Sequence, residues 1–130
     1  MPFDITITAR PMQGGAGPSV VRLSGALDLG SAPVADKVLG PLVATSPRVV
    51  VFDLAELNFI DSTGISLVLK TKKSVETKGG SVFITNMQAK IRKVFDIVKA
   101  LPGTAVFQSM TEMDEYLKSI QEKVDDEEGA

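Results

Sequence analysis

The run "RVVVFDL", Arg48 to Leu54, constrains the fold of this chain more than any other stretch. It is rich in valine and lacks the alternation of apolar and polar residues that marks a strand with one wet face. Such a run is typical of a strand that is covered on both faces at the centre of a sheet, with helices on each side. We therefore expect an α/β fold built around this strand.

Four further strand patterns surround this run. A period of two predicts strands in "FDITITAR" and in "SVVRLSGALDL", where Val21, Leu23 and Gly25 share one face. The Gly- and Pro-rich stretch Pro11 to Pro18 predicts a loop that joins these two strands into a hairpin. "SVFIT" and "AVF" around Val106 predict two more short strands.

Four stretches with apolar residues at helical spacing alternate with the strands. Ser31, Asn86 and Thr111 are candidate N-caps of the first, third and fourth helices. Pro41 is expected to kink or restart the first helix, because a proline inside a helix costs about 3 kcal/mol. Gly79-Gly80 predicts the end of the second helix.

The resulting order of elements is ββαβαβαβα. Strands that alternate with helices predict a largely parallel sheet with right-handed crossovers. We therefore expect a mostly parallel five-stranded sheet with an N-terminal hairpin and about four helices. Residues 1–124 are expected to form a single domain, and residues 125–130 an acidic, frayed C-terminal tail.

Composition excludes several classes of function. A net charge of −2 gives no positive field to hold nucleic acid. The longest uninterrupted apolar run, Val49 to Phe52, is far shorter than the ~20 residues that span a bilayer, so we expect a cytoplasmic protein without membrane insertion. Because the chain has no Cys and no His, it lacks the usual nucleophile, base and zinc ligands. We expect no catalytic residue, no metal and no cofactor.

The segment "DSTG", Asp61 to Gly64, connects the predicted buried strand to the second helix. Asp61 or Ser62 could cap that helix, which contributes about 1 kcal/mol. Alternatively the turn presents a modifiable hydroxyl, with Ser62 the better acceptor and Thr63 and Gly64 offering little steric obstruction. A phosphoryl group there would add about −1.5 to −2 charges beside Asp61. A Ser-His-Asp site is excluded by the absence of His, and no second carboxylate copy supports an aspartic protease.

The stretch "LNFIDSTGISLVL", preceded by "VVVFDLAE" and followed by "GGSVFITN", resembles the STAS domain family, named for sulphate transporters and anti-sigma factor antagonists. The resemblance runs from "VVRLSGALD" through "KIRKVFDIVKAL". It implies an antagonist of bacterial partner switching, in which a serine-kinase anti-sigma factor phosphorylates the serine after the Asp, here Ser62. The unmodified antagonist would bind the kinase and release its sigma factor, and a serine phosphatase would restore that form. The protein would then be a switch and not an enzyme.

The same resemblance implies roles for residues around the turn. Asp28 should lie close to it, although a turn or cap near Ser31 would also account for this Asp. The second helix should carry the kinase-binding surface, although its lysines could simply be solvated. The residues assigned to that surface are Ile65, Ser66, Leu67 and Lys70.

One position departs from the family pattern, because many antagonists carry Glu where this chain has Ala26. The free protein is expected to be a monomer. Two alternatives remain at this point. One is a STAS scaffold subunit of a signalling assembly, in which Thr63 or no residue is modified, and the other is an accessory subunit of a membrane transporter.

Overall fold

A computed structural model describes residues 2–12, 15–100 and 110–128 of the chain. Within these residues the sheet has the strand order β1-β2-β3-β4, with β1 antiparallel to β2 and the other two pairings parallel. Elements follow one another as β1 (Asp4–Met12), β2 (Gly15–Leu27), α1 (Ala32–Ala44), β3 (Val49–Ile60), α2 (Ser62–Thr77), β4 (Ser81–Thr85), α3 (Ala89–Ala100) and α4 (Met110–Glu128).

The α/β class, the N-terminal hairpin and the four helices are confirmed. The prediction of a five-stranded sheet is wrong for the described part of the chain, where the sheet is mixed and has four strands. The fifth strand, expected around Val106, lies outside the described residues. The acidic residues 125–128, expected in a frayed tail, belong to the last turn of α4.

The hairpin is longer than its sequence indicates. Met12 pairs with Gly15 and Pro11 pairs with Ala16, so both strands continue into the stretch expected to be a loop. The register shifts between Ala9 and Pro11. Proline is compatible with this position because β1 pairs only with β2 and is an edge strand, where a missing N–H interrupts little.

Among the described residues β3 is covered on one face only, which corrects the expectation that helices flank both faces. Val50 and Phe52 are fully buried, whereas the alternate residues Val49 and Val51 are partly exposed. Phe83 of β4, in register with Val51, is 55% exposed. The valine run misled because β-branched residues favour strands whether or not both faces are covered.

The four helices pack against the covered face of the sheet and form one core with it. Each large apolar side chain buried there contributes about 1.5–3 kcal/mol. The core includes Val21, Leu23, Leu27, Ala35, Leu39, Phe52, Leu54, Leu57, Ile60, Ile65, Val68, Val75, Ile91, Val94 and Leu117.

The helix ends agree only partly with the predicted caps. Gly79 has φ 87° and follows the end of α2 as expected. Asn86 does not cap α3, because it adopts φ 59° and the helix begins at Ala89. α1 continues through Pro41 to Ala44, so the proline does not end it. α4 begins at Met110, one residue before Thr111, whose side chain lies outside the described set.

Ser31 precedes α1 but makes no side-chain cap. Its Oγ instead donates to the carbonyl of Ala26 at 2.7 Å and accepts from the N–H of Asp28 at 2.9 Å. Ser31 therefore fixes the loop after β2, which places Asp28 next to the start of α2.

Candidate functional site

Asp61 is the residue that joins β3 to α2. It is the N-cap of α2, and its Oδ1 accepts a hydrogen bond from the N–H of Gly64 at 2.9 Å. Its Oδ2 accepts from the N–H of Leu29 at 3.0 Å. The carboxylate therefore stabilises the helix start and ties it to the loop that follows β2.

The Asp61 carboxylate lies in an unfavourable electrostatic environment. Burial removes water from it and is the main reason why the pKa of Asp61 is raised above its ordinary value of 3.8. The two amide hydrogen bonds oppose this shift, and the nearby carboxylates of Asp114 and Asp28 add to it. A further negative charge beside Asp61 would add to this repulsion.

Asp28 adopts a turn conformation and also lies beside Asp61. Its Oδ1 accepts from the N–H groups of Gly30 and Ser31, both at 3.0 Å. The structure therefore brings Asp28 and Asp61 together. The role of Asp28 in the turn and its position beside Asp61 are compatible, because the turn holds the Asp28 carboxylate in place.

Ser62 is the first residue of α2, and its side chain is buried. It is 3% exposed, and its Oγ has no hydrogen-bond partner among the described residues. Its N–H donates to Oδ1 of Asp114, in α4, at 2.8 Å. The accessible hydroxyl expected from the sequence is therefore not present in this conformation, and α4 lies against the turn.

Gly64 allows α2 to approach the end of β2. A Cβ at this position would collide with the carbonyl oxygen of Leu27 and lie 2.8 Å from Cγ1 of Ile60. The fourth position of the turn thus requires glycine for space, which adds a structural reason for this residue in "DSTG".

The turn has two exposed sides, and one of them is acidic. This acidic side is an open depression of about 380 Å³. No group of three or more acidic side chains that could hold a metal ion occurs among the residues the structure describes. The depression is lined by Asp28, Leu29, Gly30, Phe59, Asp61, Asp114, Glu115 and Lys118.

The other side is a mostly apolar depression of about 390 Å³ between α1 and α2. Leu29 is 72% exposed at its edge, and Val34 on α1 is 52% exposed. The sequence analysis did not single out Leu29, because isolated apolar residues are common on surfaces. Its lining is Leu29, Ala32, Pro33, Asp36, Thr63, Ser66, Leu67 and Lys70.

The expected partner-binding residues of α2 divide between surface and core. Ser66 and Lys70 are exposed, and Thr63 is partly exposed. Ile65 and Leu67 are 2% and 8% exposed and belong to the core. A partner on this face would therefore contact Thr63, Ser66 and Lys70, while Ile65 supports the helix from within.

Gln121 holds α4 against the end of β3. It is 2% exposed, and its Oε1 accepts from the N–H of Ile60 at 3.0 Å. Its Nε2 donates to the carbonyl of Ile60 at 2.8 Å and to that of Leu117 at 3.1 Å. Sequence reasoning identified neither Gln121 nor Asp114, because polar residues on a helix ordinarily face solvent.

In the described ranges, no helix is both long enough and apolar enough to cross a membrane.

Comparisons with known proteins agree with this architecture. The STAS domain family matches residues 10–113. An anti-sigma-B factor antagonist of Bacillus subtilis (strain 168) is 32% identical over 77 residues, which are 59% of this chain and 70% of that protein. The anti-sigma factor antagonist SpoIIAA in its unphosphorylated form has a TM-score of 0.58 at 24% identity, over 74% of this chain and 83% of that chain.

The Bacillus cell fate determinant SpoIIAA in its phosphorylated form is similar to the same degree. Its TM-score is 0.58 at 23% identity, over 75% of this chain and 83% of that chain. At these identities the likeness shows the fold, while the family match extends from β1 into α4 and includes the turn at Asp61. The chain belongs to the STAS domain family.

Proposed function

We propose that this protein is an anti-sigma factor antagonist controlled by phosphorylation of Ser62. In the unphosphorylated form it binds a serine-kinase anti-sigma factor, which then releases its sigma factor or other target. Phosphorylation inactivates it and a serine phosphatase reactivates it. It acts as a cytoplasmic binding partner and kinase substrate, monomeric when free, and not as an enzyme.

The Ser62 hydroxyl carries this proposal. The capping role that could have explained a hydroxyl at the helix start belongs to Asp61. Ser62 Oγ is buried without a hydrogen-bond partner among the described residues, which costs about 1–3 kcal/mol relative to a satisfied group. A buried serine whose oxygen has no partner among the described residues supports a chemical role for that oxygen.

The relatives support the identity of the partners. The similar Bacillus subtilis protein is named an anti-sigma-B factor antagonist. By analogy, we propose an anti-sigma factor as the partner of this chain. SpoIIAA has been seen in phosphorylated and unphosphorylated forms, so the fold is compatible with both.

Electrostatics provides the mechanism of the switch. Modification transfers the γ-phosphoryl group of the kinase's nucleoside triphosphate to Ser62 Oγ. The bond to the departing diphosphate breaks, and the hydroxyl proton passes to a base of the kinase. The product adds about −1.5 to −2 charges next to Asp61, whose pKa is already raised by burial and further by the carboxylates of Asp114 and Asp28. A tenfold loss of partner affinity requires only about 1.4 kcal/mol.

Phosphorylation mapping tests the proposal first. Protein isolated from its native cells is digested, and the peptide that spans Asp61 to Gly64 is sequenced by mass spectrometry. We expect phosphate on Ser62. Pull-downs then compare Ser62→Ala, which should retain a kinase partner, with Ser62→Asp, which should lose it. Ser81→Asp, at an exposed position of β4, is the control and should bind like wild type. Equal binding by Ser62→Ala and Ser62→Asp would contradict the switch.

A scaffold subunit in a signalling assembly is the second candidate. Thr63 favours it, because this residue is partly exposed and lines the apolar depression, whereas Ser62 is buried. Phosphate on Thr63 in the same experiment, together with a large homo-assembly in size-exclusion chromatography, would support the scaffold over the switch.

A further inference from the structure

A cleft of about 370 Å³ lies between α2, β4 and α3, and we call it the α2–α3 cleft. It shares no lining residue with either depression beside the turn at Asp61, and it is more enclosed than both of them. Its volume falls within the range of about 300–1,000 Å³ that small-molecule sites occupy. The cleft is therefore large enough to hold a small ligand away from the candidate site.

The walls of the α2–α3 cleft are mostly apolar. Leu69 of α2 is 43% exposed, so part of this wall faces solvent. A ligand with an apolar body would remove such surface from water, which favours binding. The remaining apolar lining residues are partly buried and also pack against the core: Ile84, Met87, Phe95 and Val98.

Arg92 supplies the cleft with an available cation. It lines the cleft from α3, and its side chain is exposed. Within the described part of the chain, its guanidinium makes neither a hydrogen bond nor an ion pair. A guanidinium presents a planar fork of donors that matches the oxygens of a carboxylate or a phosphate. An anionic group at this end of the cleft would therefore find an unoccupied partner.

Two further charged side chains line the cleft, Lys72 and Asp96. Lys72 Nζ lies 3.1 Å from Oε1 of Glu76, and these side chains are 40% and 48% exposed. Water screens an ion pair of this kind, so Lys72 can turn towards a second anion at little cost. Asp96 opposes an anion, but one carboxylate among the lining residues stands against two cations. The balance of charge in the cleft favours a negative ligand.

We propose that the α2–α3 cleft binds a small amphipathic anion, whose apolar body lies against Leu69, Met87 and Phe95 and whose carboxylate or phosphate head binds Arg92. The inference does not rest on the proposed function, because none of these residues belongs to the turn at Asp61 or to the depressions beside it.

Titration of the isotope-labelled chain, followed by two-dimensional NMR, tests the site and the class of ligand together. The probes are hexanoate, octanoate, decanoate and octyl phosphate, each kept below the concentration at which it forms micelles. We expect amide shifts to concentrate around Leu69, Met87 and Phe95. Affinity should rise about fourfold for each methylene added to the carboxylate, until the cleft is filled. The tighter of octanoate and octyl phosphate identifies the head group.

Variants of α3 separate the head group from the apolar body. Arg92→Gln should weaken octanoate binding about tenfold, because it removes a charged hydrogen-bond donor, and Arg92→Lys should weaken it less. Asp96→Asn should strengthen binding, because it removes the opposing carboxylate. Lys93→Gln is the matched control, since Lys93 is exposed on the same helix but does not line the cleft, and it should bind like wild type.

A second pair of variants tests the wall. Leu69→Asn should weaken octanoate binding, whereas Val34→Asn, at an exposed apolar position of α1 outside the cleft, should not. The spectra of the free variants show that each is folded.

Three results would overturn the proposal. The first is the absence of shifts around the cleft with all four probes, and the second is shifts centred on Leu29 and Ser66, which would place the ligand in the apolar depression instead. The third is octanol or octyltrimethylammonium binding as tightly as octanoate, or equal octanoate binding by Arg92→Gln and wild type. Either observation would show that the cleft does not select an anion.

Discussion

The side-chain amide of Gln121 bonds both the N–H and the carbonyl of Ile60, at 3.0 and 2.8 Å, across 61 residues of sequence. This contact fixes α4 to the last residue of β3. The next residue along the chain is Asp61, the N-cap of α2. The buried amide of Gln121 therefore couples the position of α4 to the geometry of the candidate site, in addition to the contact between Asp114 and the Ser62 N–H.

Gln121→Leu should destabilise the protein. Leucine has a similar size, but it leaves the N–H of Ile60 buried without its partner, at a cost of about 1–3 kcal/mol. Urea denaturation measures the free energy of unfolding. Glu122→Leu, at the exposed neighbouring position of α4, is the control and should change it by less than about 0.5 kcal/mol. Equal effects of the two substitutions would contradict the role of the amide.

Gly64→Ala should destabilise the protein, whereas Gly40→Ala should change its stability little. A Cβ at Gly64 collides with the Leu27 carbonyl, while a Cβ at Gly40 meets no atom within 4 Å beyond its chain neighbours and its own helix, among the described residues. Inside α1 alanine is favoured over glycine by about 0.5–1 kcal/mol, but Pro41 offsets this gain because its ring clashes with a Cβ on the preceding residue. Thermal denaturation of both variants should show a clear fall of Tm for Gly64→Ala alone. A rise for Gly64→Ala would show that α2 does not need its close approach to β2.

The sequence predicted the parts of this fold that depend on local patterns. The strand β4, the end of α2 at Gly79 and the cap at Asp61 follow from neighbours along the chain. The extent of β1 and β2 did not, because Pro11 and Gly15 ordinarily mark loops. The one-sided covering of β3 did not either, because Val49 and Val51 suit a strand in both environments.

The residues of the site that are neighbours in the sequence could be predicted. The contacts that depend on the packing of α4 could not. "DSTG" indicates a helix start with a free hydroxyl next to a cap, and the structure separates these roles between Ser62 and Asp61. The contact between Ser62 and Asp114 joins residues 52 positions apart. An Asp in an acidic helix gives no local sign that it contacts the start of another helix, so this contact could not be predicted from the sequence.

Asp61 should titrate above its ordinary pKa of 3.8, chiefly because it is buried. The folded chain then binds this proton more tightly than the unfolded chain. The contribution of Asp61 to stability is therefore fully present below pH 3.8 and is lost as the pH rises through the raised folded pKa. Carbon-detected NMR of the Asp61 carboxyl gives the folded pKa directly.

The matched variants for this titration are Asp114→Asn and Asp61→Asn. Asp114→Asn should lower the pKa of Asp61, because it removes a neighbouring carboxylate that raises it. As the pH rises from 3.8 through the raised folded pKa, the free energy of unfolding of wild type should fall relative to that of Asp61→Asn. A folded pKa at or below 3.8 would show that the two amide bonds outweigh desolvation.

Leu29→Asp should abolish binding of the proposed kinase partner without unfolding the protein. Leu29 is 72% exposed beside the apolar depression, so its replacement removes an apolar contact and adds a charge to a surface that would be desolvated. Phe83→Asp is the control, because Phe83 is 55% exposed on the uncovered face of the sheet. Pull-downs from native cells, quantified by mass spectrometry, should lose the kinase with Leu29→Asp and retain it with Phe83→Asp. The reverse result would place the partner on the sheet.

Ser62→Ala should make the protein more stable. Removing a buried hydroxyl that lacks a partner among the described residues relieves a desolvation cost of about 1–3 kcal/mol. Thr71→Val, in the same helix, is the matched comparison, because Thr71 is 4% exposed and its Oγ1 donates to the carbonyl of Leu67 at 2.8 Å. That variant should lose about 1 kcal/mol. Urea denaturation of both variants measures these changes. A more stable Ser62→Ala would mean that the serine is present although it lowers the stability of the protein. A less stable Ser62→Ala would mean that the oxygen has a structural partner, so that no modification is needed to explain the serine.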